Sequence, residues 1–432
     1  MDKVAFYTLG CKVNQYETEA MAEAFENAGY EIVEFDEAAD VYVINTCTVT
    51  GLSSRKSRQA IRRAKQLNGS AIVAAVGCYP QTAREEVESI PEVDIVVGTA
   101  NRLELPRHVE KFRSGGDRIS AVGNIMKKHD FEDLKIERYK GRTRAFLKIQ
   151  EGCSQFCSYC IIPYARGPIR SRPAEDVAEE VRKLSEAGFK EVVLTGIHIA
   201  SYGKDQGQIR LADLVRIIHG MDGIERIRLG SIEPTMITSD FVSQAAGMEK
   251  LCPHYHISLQ SGCDETLARM NRKYKTADYK RAVDMLRERI PDVAITTDVM
   301  VGFPGETQEE FNKTFEFLEM IRFAKMHVFK YSPRKGTPAS TFEDQVDGKV
   351  KEYRSARVME LSDRLAFEFN SSYQGREMSV LYEQEVRGSD GLYEGLTPNY
   401  IRVLSKADNG IVGNITATKL IRAEKDFMIG EI

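Results

Sequence analysis

Three cysteines crowd into the stretch from Cys153 to Cys160, directly after an apolar strand-like run at 145–149, and nothing else in the chain restricts its fold so much. Thiolates at spacings of four and three residues can hold one face of an iron–sulfur cube, so the loop after this strand is a candidate metal-bearing loop. A four-iron cluster on four cysteines is coordinatively closed. Three cysteines leave one iron open, much as a catalytic zinc keeps one position free. The alternatives at this point are a zinc site completed by a distant His or Cys, or a mere cluster of buried thiols. Structural disulfides are disfavoured. The first residues, Met1-Asp2-Lys3-Val4, start a strand-like run rather than a charged leader, and none of the apolar runs approaches the roughly 18 residues of a membrane span. The expectation is a soluble cytoplasmic protein whose eight cysteines stay reduced.

The chain has 432 residues, 42% of them hydrophobic, which is too long for one core and predicts two or three domains. From residue 1 to 115, apolar runs at 4–9, 41–45, 72–77 and 94–98 alternate with helix-period segments such as 17–28 and 55–66, the pattern of an open parallel α/β domain. Residues 116–138 read as a linker, with glycine at 115 and 116 and mixed charge over 127–140. Strand-like runs at 145–149, 191–195, 226–230, 255–259, 294–299 and 325–329 predict a partial six-unit β/α barrel within residues 139–370, closed by a charged helix near 351–369. Short alternating runs over 371–432 predict a small antiparallel β-barrel.

Cys11, Cys47 and Cys78 are far apart in sequence, yet each follows an apolar run read as a strand. In a parallel sheet the carboxyl ends of strands share one edge, so these thiols can converge there. Cysteine is also a common small buried residue, and spacing alone leaves both readings open. Sixty Lys and Arg nearly balance 64 Asp and Glu, a net charge of −4, so any nucleic-acid site must be a local patch. One candidate is the helical stripe Arg55, Arg58, Arg62 and Lys65, flanked by Lys56 and Arg63; another is Arg138, Lys140, Arg142, Arg144 and Lys148. A solvated helix face is the plain alternative for the first.

Cys153, Cys157 and Cys160 match the radical S-adenosylmethionine (SAM) signature, and further segments resemble the same family. These are Leu194-Thr195-Gly196-Ile197-His198, Ser231-Ile232-Glu233-Pro234, Gln260-Ser261-Gly262 and Val301-Gly302-Phe303-Pro304-Gly305-Glu306-Thr307, each at a predicted strand end. Taken over the whole chain, the order of parts is similar to the methylthiotransferase family. The resemblance implies two [4Fe–4S] clusters, one on Cys153, Cys157 and Cys160 and an auxiliary one on Cys11, Cys47 and Cys78. It implies SAM as methyl donor and as radical source, with Tyr159, Gly196, His198, Ser231, Glu233, Gln260, Gly302 and Phe303 as candidate SAM contacts. It also implies that the carboxyl-terminal barrel is a TRAM domain that binds RNA, although its acidic side chains outnumber its basic ones. The implied partners are a tRNA substrate, a reductase or flavodoxin-type electron donor and a sulfur donor, with no membrane.

Within that family, Thr8-Leu9-Gly10-Cys11-Lys12-Val13-Asn14-Gln15-Tyr16-Glu17, Asn45-Thr46-Cys47-Thr48-Val49-Thr50, Lys56-Ser57-Arg58-Gln59 and Arg166-Gly167-Pro168-Ile169-Arg170-Ser171-Arg172-Pro173 resemble the branch that acts on N6-threonylcarbamoyladenosine beside the anticodon. The other branches act on isopentenyl-adenosine or on a ribosomal-protein aspartate. A further alternative is a radical SAM enzyme whose second cluster only relays electrons. Arg170 and Arg172 are candidates to meet the carboxylate of the threonyl group, because an arginine fork matches a carboxylate; exposed surface arginines are the plain alternative. Cys252 and Cys263 have no partner at ligand spacing and are expected to be bystanders.

Overall fold

The computed structural model describes residues 1–134, 136, 143–207 and 209–432. Its amino-terminal part is a six-stranded parallel sheet in the order Glu31–Val33, Lys3–Thr8, Val41–Thr46, Ile72–Gly77, Ile95–Val97, Ile119–Ala121. The two middle strands, Val41–Thr46 and Ile72–Gly77, are buried along their whole length, as strands covered on both faces must be. Helix Gly51–Leu67 shows why such a segment docks. Ser54, Ser57, Ala60, Ile61 and Ala64 form a stripe of small and apolar side chains buried against the sheet, and Thr50 caps the first turn by accepting from the Ser53 amide.

Two features here go beyond the sequence reading. Helix Lys12–Asn27 starts five residues before the helix-period pattern, directly after Cys11. Its first turns bury Asn14 and Glu17, polar residues that satisfy partners elsewhere, so the hydrophobic period does not register them. The expected linker supplies the edge strand Ile119–Ala121, and Leu134 and Ile136 pack on Tyr16 and Ala20. Three residues make too little pattern for alternation to show, and only backbone pairing defines that strand.

The central part is a half-open parallel barrel. Arg144–Glu151, Glu191–Gly196 and Arg226–Leu229 form one sheet, and His254–His256, Ala294–Val301 and Lys325–Lys330 form the next. Isolated parallel bridges join them, among them Ile232 with Ile257. A two-residue strand, Arg170–Ser171, runs antiparallel on the outer edge of Arg144–Glu151 and was not foreseen. Helix Gly348–Ser371 then leads into a closed five-stranded barrel, Glu377–Glu385, Leu392–Leu396, Arg402–Lys406, Met428–Glu431 and Ile415–Ala423 in spatial order. The barrel is antiparallel except where Arg402–Lys406 pairs in parallel with Met428–Glu431. None of the helices among the described residues is long and apolar enough to cross a membrane.

Candidate active site

Cys11, Cys47 and Cys78 stand just past the ends of three adjacent parallel strands, Lys3–Thr8, Val41–Thr46 and Ile72–Gly77. Gly10 and Gly77 precede two of them with φ of +112° and +101°, a left-handed turn that lifts the chain off the strand at once. The approach is close: a Cβ on Gly10 would lie 3.2 Å from the Cys47 sulfur, and one on Gly77 would lie 2.7 Å from Asn45 Oδ1. The edge is pinned by Asn14, which donates to the carbonyls of Leu9 (2.6 Å) and Thr46 (3.0 Å).

The second set sits in the loop after Arg144–Glu151. Gly152, at φ +75°, has its α-carbon so close to Pro168 that a Cβ would lie 1.8 Å from that carbonyl oxygen. Cys153 donates its amide to Gly167 O (3.0 Å) and Cys160 donates to Cys157 O (2.9 Å), which folds the loop so that all three thiols lie at one end of the barrel. Cys252 and Cys263 are buried elsewhere, and Cys263 donates to Glu265 (2.9 Å).

Each thiol set has one buried guanidinium beside it. Arg166 donates from Nε to the Cys78 sulfur (3.2 Å) and from Nη2 to Asn14 Oδ1 (2.6 Å). Arg272 reaches the Cys157 sulfur (3.4 Å) and pairs with Glu233 (3.1 Å). Burial pushes the Cys78 and Cys160 thiols up to about 12 and Cys153 to about 11, with Arg166 opposing at Cys78 and Arg272 at Cys153 and Cys160. Metal coordination deprotonates a thiol outright, and the adjacent guanidinium then offsets the buried negative charge. The donor set therefore fits anionic thiolate clusters. Among the described residues, no three Cys, His, Asp or Glu side chains converge closely enough for a single metal ion. A four-iron cube asks for a different arrangement, with each thiolate on its own iron.

Arg166 also joins the two halves. It ion-pairs with Glu17 and with Glu151 (3.2 Å), and Glu17 further meets Lys148 (2.8 Å) and Arg102 (3.1 Å). Burial would raise the Glu17 carboxyl, but Arg102, Arg166 and Lys148 together hold it well below the usual carboxylate range. Sequence reasoning quoted Arg166 and Glu17 only as parts of longer strings.

Of the candidate SAM contacts, His198 Nε2 meets Glu233 (3.2 Å), and Gln155 donates to the same carboxylate (3.2 Å). Burial pushes the Glu233 carboxyl up, but His198 and Arg272 bring it below its ordinary value. Tyr159 and Gln260 line a cavity of about 220 Å³ together with Cys160, Met300 and Ser332, and with Val49 and Thr50 just beyond Cys47. Gly196 and Ser231 lie at strand ends, Ser231 exposed. Gly302 bonds Glu306 (2.6 Å), and Phe303 is fully buried against Tyr159, Tyr331 and Phe342, so it packs rather than lines the cavity.

The predicted arginine contacts separate. Arg170 is buried and donates to the carbonyl of Pro168 (3.1 Å); Arg172 is buried and bound to Glu180. Neither is a surface side chain: each spends guanidinium hydrogens on its own fold, although the Nε of each has no hydrogen-bond partner among the described residues. On the basic helix, Arg58 pairs with Glu86 (2.9 Å) and Lys65 with Asp94 (2.9 Å), while Arg55 and Arg62 are exposed. In the second basic group, Arg144 pairs with Glu383 and Lys148 with Glu17, whereas Arg138, Lys140 and Arg142 lie outside the described residues.

Two family profiles match the chain: the Radical SAM superfamily over residues 147–318 and the Uncharacterized protein family UPF0004 over residues 3–98. The Threonylcarbamoyladenosine tRNA methylthiotransferase MtaB of Bacillus subtilis is 44% identical, covering 100% of this chain and 96% of its own length. Its namesake in Aquifex aeolicus is 41% identical, covering 93% and 96%. The tRNA-2-methylthio-N(6)-dimethylallyladenosine synthase of Clostridium tetani is 35% identical, covering 98% and 95%. Among solved structures, the radical S-adenosylmethionine methyltransferase TsrM from Kitasatospora setae, with cobalamin and a [4Fe-4S] cluster bound, aligns with a TM-score of 0.57 at 18% identity, over 79% of this chain and 77% of that one, a likeness of fold.

Proposed function

The chain belongs to the radical SAM methylthiotransferase family, and from that membership we propose that it converts N6-threonylcarbamoyladenosine beside the anticodon of tRNA to its 2-methylthio form. Relatives named for that substrate are 44%, 41% and 38% identical, against 35% for one named for the dimethylallyl substrate. The observation that carries the reading is a cavity lined both by Cys160 of one thiol set and by Val49 and Thr50, which follow Cys47 of the other. A substrate there would touch Cys160 and the segment just beyond Cys47.

In this reading Cys153, Cys157 and Cys160 hold one [4Fe–4S] cluster and Cys11, Cys47 and Cys78 the other. When bound, the clusters and SAM supply one-electron cleavage, the methyl group and the transferred sulfur. The chain does the rest. Arg272 and Arg166 offset the charge at the two thiolate sets. Tyr159, His198, Glu233 and Gln260, with Gly196 and Ser231 at the strand ends, orient SAM; Gly302 and Phe303 support them from behind. Arg55 and Arg62 are free to meet phosphates, and the carboxyl-terminal barrel docks the RNA. A reductase or flavodoxin-type donor supplies electrons, and a separate donor restores the sulfur. Location in the cytoplasm, with the tRNA, follows from the same reading.

Anaerobic reconstitution tests it. The chain is expected to bind about eight iron atoms, and a triple Cys→Ala variant of either set about half as many. The variant at 11, 47 and 78 is expected to cleave SAM without modifying tRNA, and the variant at 153, 157 and 160 to do neither. One cluster's worth of iron in the unaltered protein, or no methylthio mass gain on the adenosine, would sink the reading.

A further inference from the structure

The substrate proposed above carries a carboxylate, and a site that selects it needs a cation with no acid of its own. The arginines first considered, Arg170 and Arg172, are buried in the fold's own bonds. A second cavity, of about 730 Å³, adjoins the first across Ile161, which lines both. Between them Gly51, lining the second, donates its amide to Ser332 of the first (3.3 Å). Four basic side chains line this second space. Arg58 is paired with Glu86 and Arg84 with Glu88 (2.7 Å), and Lys335 is exposed on the rim.

The fourth is Arg334. It crosses from the barrel loop to the segment after Cys47, where its Nη2 donates to two neutral acceptors, Thr48 Oγ1 (2.7 Å) and Ser54 Oγ (2.9 Å). Its Nε is buried with no hydrogen-bond partner, and among the described residues it has no carboxylate within ion-pair distance. Burial depresses its pKa, opposed by Cys47 and by Glu86, the latter itself ion-paired with Arg58. A half-buried guanidinium that lines a cavity and is held there by two neutral hydroxyls is a group an anion can claim.

We infer that Arg334 receives the carboxylate of the threonylcarbamoyl arm and so sets which modified adenosine the enzyme accepts; the inference rests on the proposed function. The base occupies the smaller cavity. The threonyl arm reaches past Ile161 to Arg334, displacing the weaker acceptors Thr48 and Ser54. Arg334 is thus a specificity residue that touches substrate remote from the reacting carbon.

The test binds the cluster-loaded full chain to two anticodon stem-loop RNAs, one with N6-threonylcarbamoyladenosine and one with its carboxylate converted to the carboxamide. The unaltered protein is expected to prefer the carboxylate by roughly tenfold or more, the scale of a charge-assisted pair. Arg334→Gln is expected to lose the preference while keeping its iron content and unfolding midpoint, and Arg334→Lys to keep part of it. An Arg334→Gln protein that retains the full preference overturns the inference, as does an unaltered protein with none. Equal loss of affinity for both RNAs, with the preference intact, marks a structural clasp and also overturns it. Product formation is read separately: no mass gain on either RNA counts against the reaction, whereas the binding preference alone decides the role of Arg334.

Discussion

At the scale of single residues, Arg166 concentrates the most physics. It is completely buried, touches the Cys78 sulfur, Asn14, Glu17 and Glu151, and draws these from both the amino-terminal sheet and the barrel. Replacing it by Met leaves two buried carboxylates short of a partner, an effect of about 3–5 kcal/mol for a broken buried pair. The expected outcome is a lower urea midpoint together with loss of iron from the amino-terminal set but not from Cys153, Cys157 and Cys160; spectroscopic iron quantitation distinguishes the two. Gly152 is the other sensitive point. With φ +75° and no room for a Cβ beside Pro168, Gly152→Ala is expected to displace the Cys153 loop and reduce its iron loading, measurable by absorbance after reconstitution.

At the scale of elements, the site is assembled from loop and helix starts. Helix Gly51–Leu67 begins three residues after Thr48, and its cap at Thr50 fixes where the chain beyond Cys47 turns into the cavity wall. Thr50→Ala is expected to cost about 1 kcal/mol by losing the bond to the Ser53 amide, with Thr50→Ser retaining most of it; chemical denaturation of the two variants side by side checks this. The elements were legible where pattern is dense. The strands under Cys11, Cys47 and Cys78 showed as apolar runs because both faces of a parallel sheet are covered. The start of helix Lys12–Asn27 was not legible, since the buried polar residues Asn14 and Glu17, whose partners lie far along the chain, interrupt the apolar stripe of Val13 and Tyr16. The strand Ile119–Ala121 was hidden for a related reason: its identity lies in pairing with Ile95–Val97.

At the scale of the whole molecule, buried arginines tie the small barrel to the central one. Arg226 donates to Leu396 O (3.0 Å) and Ser379 O (2.8 Å), Arg228 donates to Pro398 O (2.9 Å), and Arg228 also pairs with Glu191 (2.7 Å). Tyr400, at φ +72°, stacks on His254 at 4.4 Å. Burial would raise the Glu191 carboxyl, but Arg228, Arg144 and Arg226 hold it below its ordinary value. A depressed carboxylate contributes stability that is present above its unfolded pKa, about 4.3, and is lost as pH falls through the folded value. The urea midpoint is therefore expected to drop as pH falls below about 4.3, and Glu191→Gln to flatten that part of the profile. An unchanged slope in the variant would place the acid sensitivity in another group.

What the sequence by itself determined is the chemistry that local spacing encodes: three cysteines in one loop, the alternation that makes a parallel α/β chain, and short strings shared with the methylthiotransferases. These are legible because ligand spacing within a loop and burial on both faces of a strand are properties of neighbouring residues. Only the tertiary structure decided which cations serve the thiols and which face the substrate. Arg166, Arg272 and Arg334 look no different in sequence from Arg170 and Arg172. A guanidinium's role depends on whether an acid, a carbonyl, a sulfur or an empty cavity lies beside it, and chain segments remote in sequence supply those neighbours.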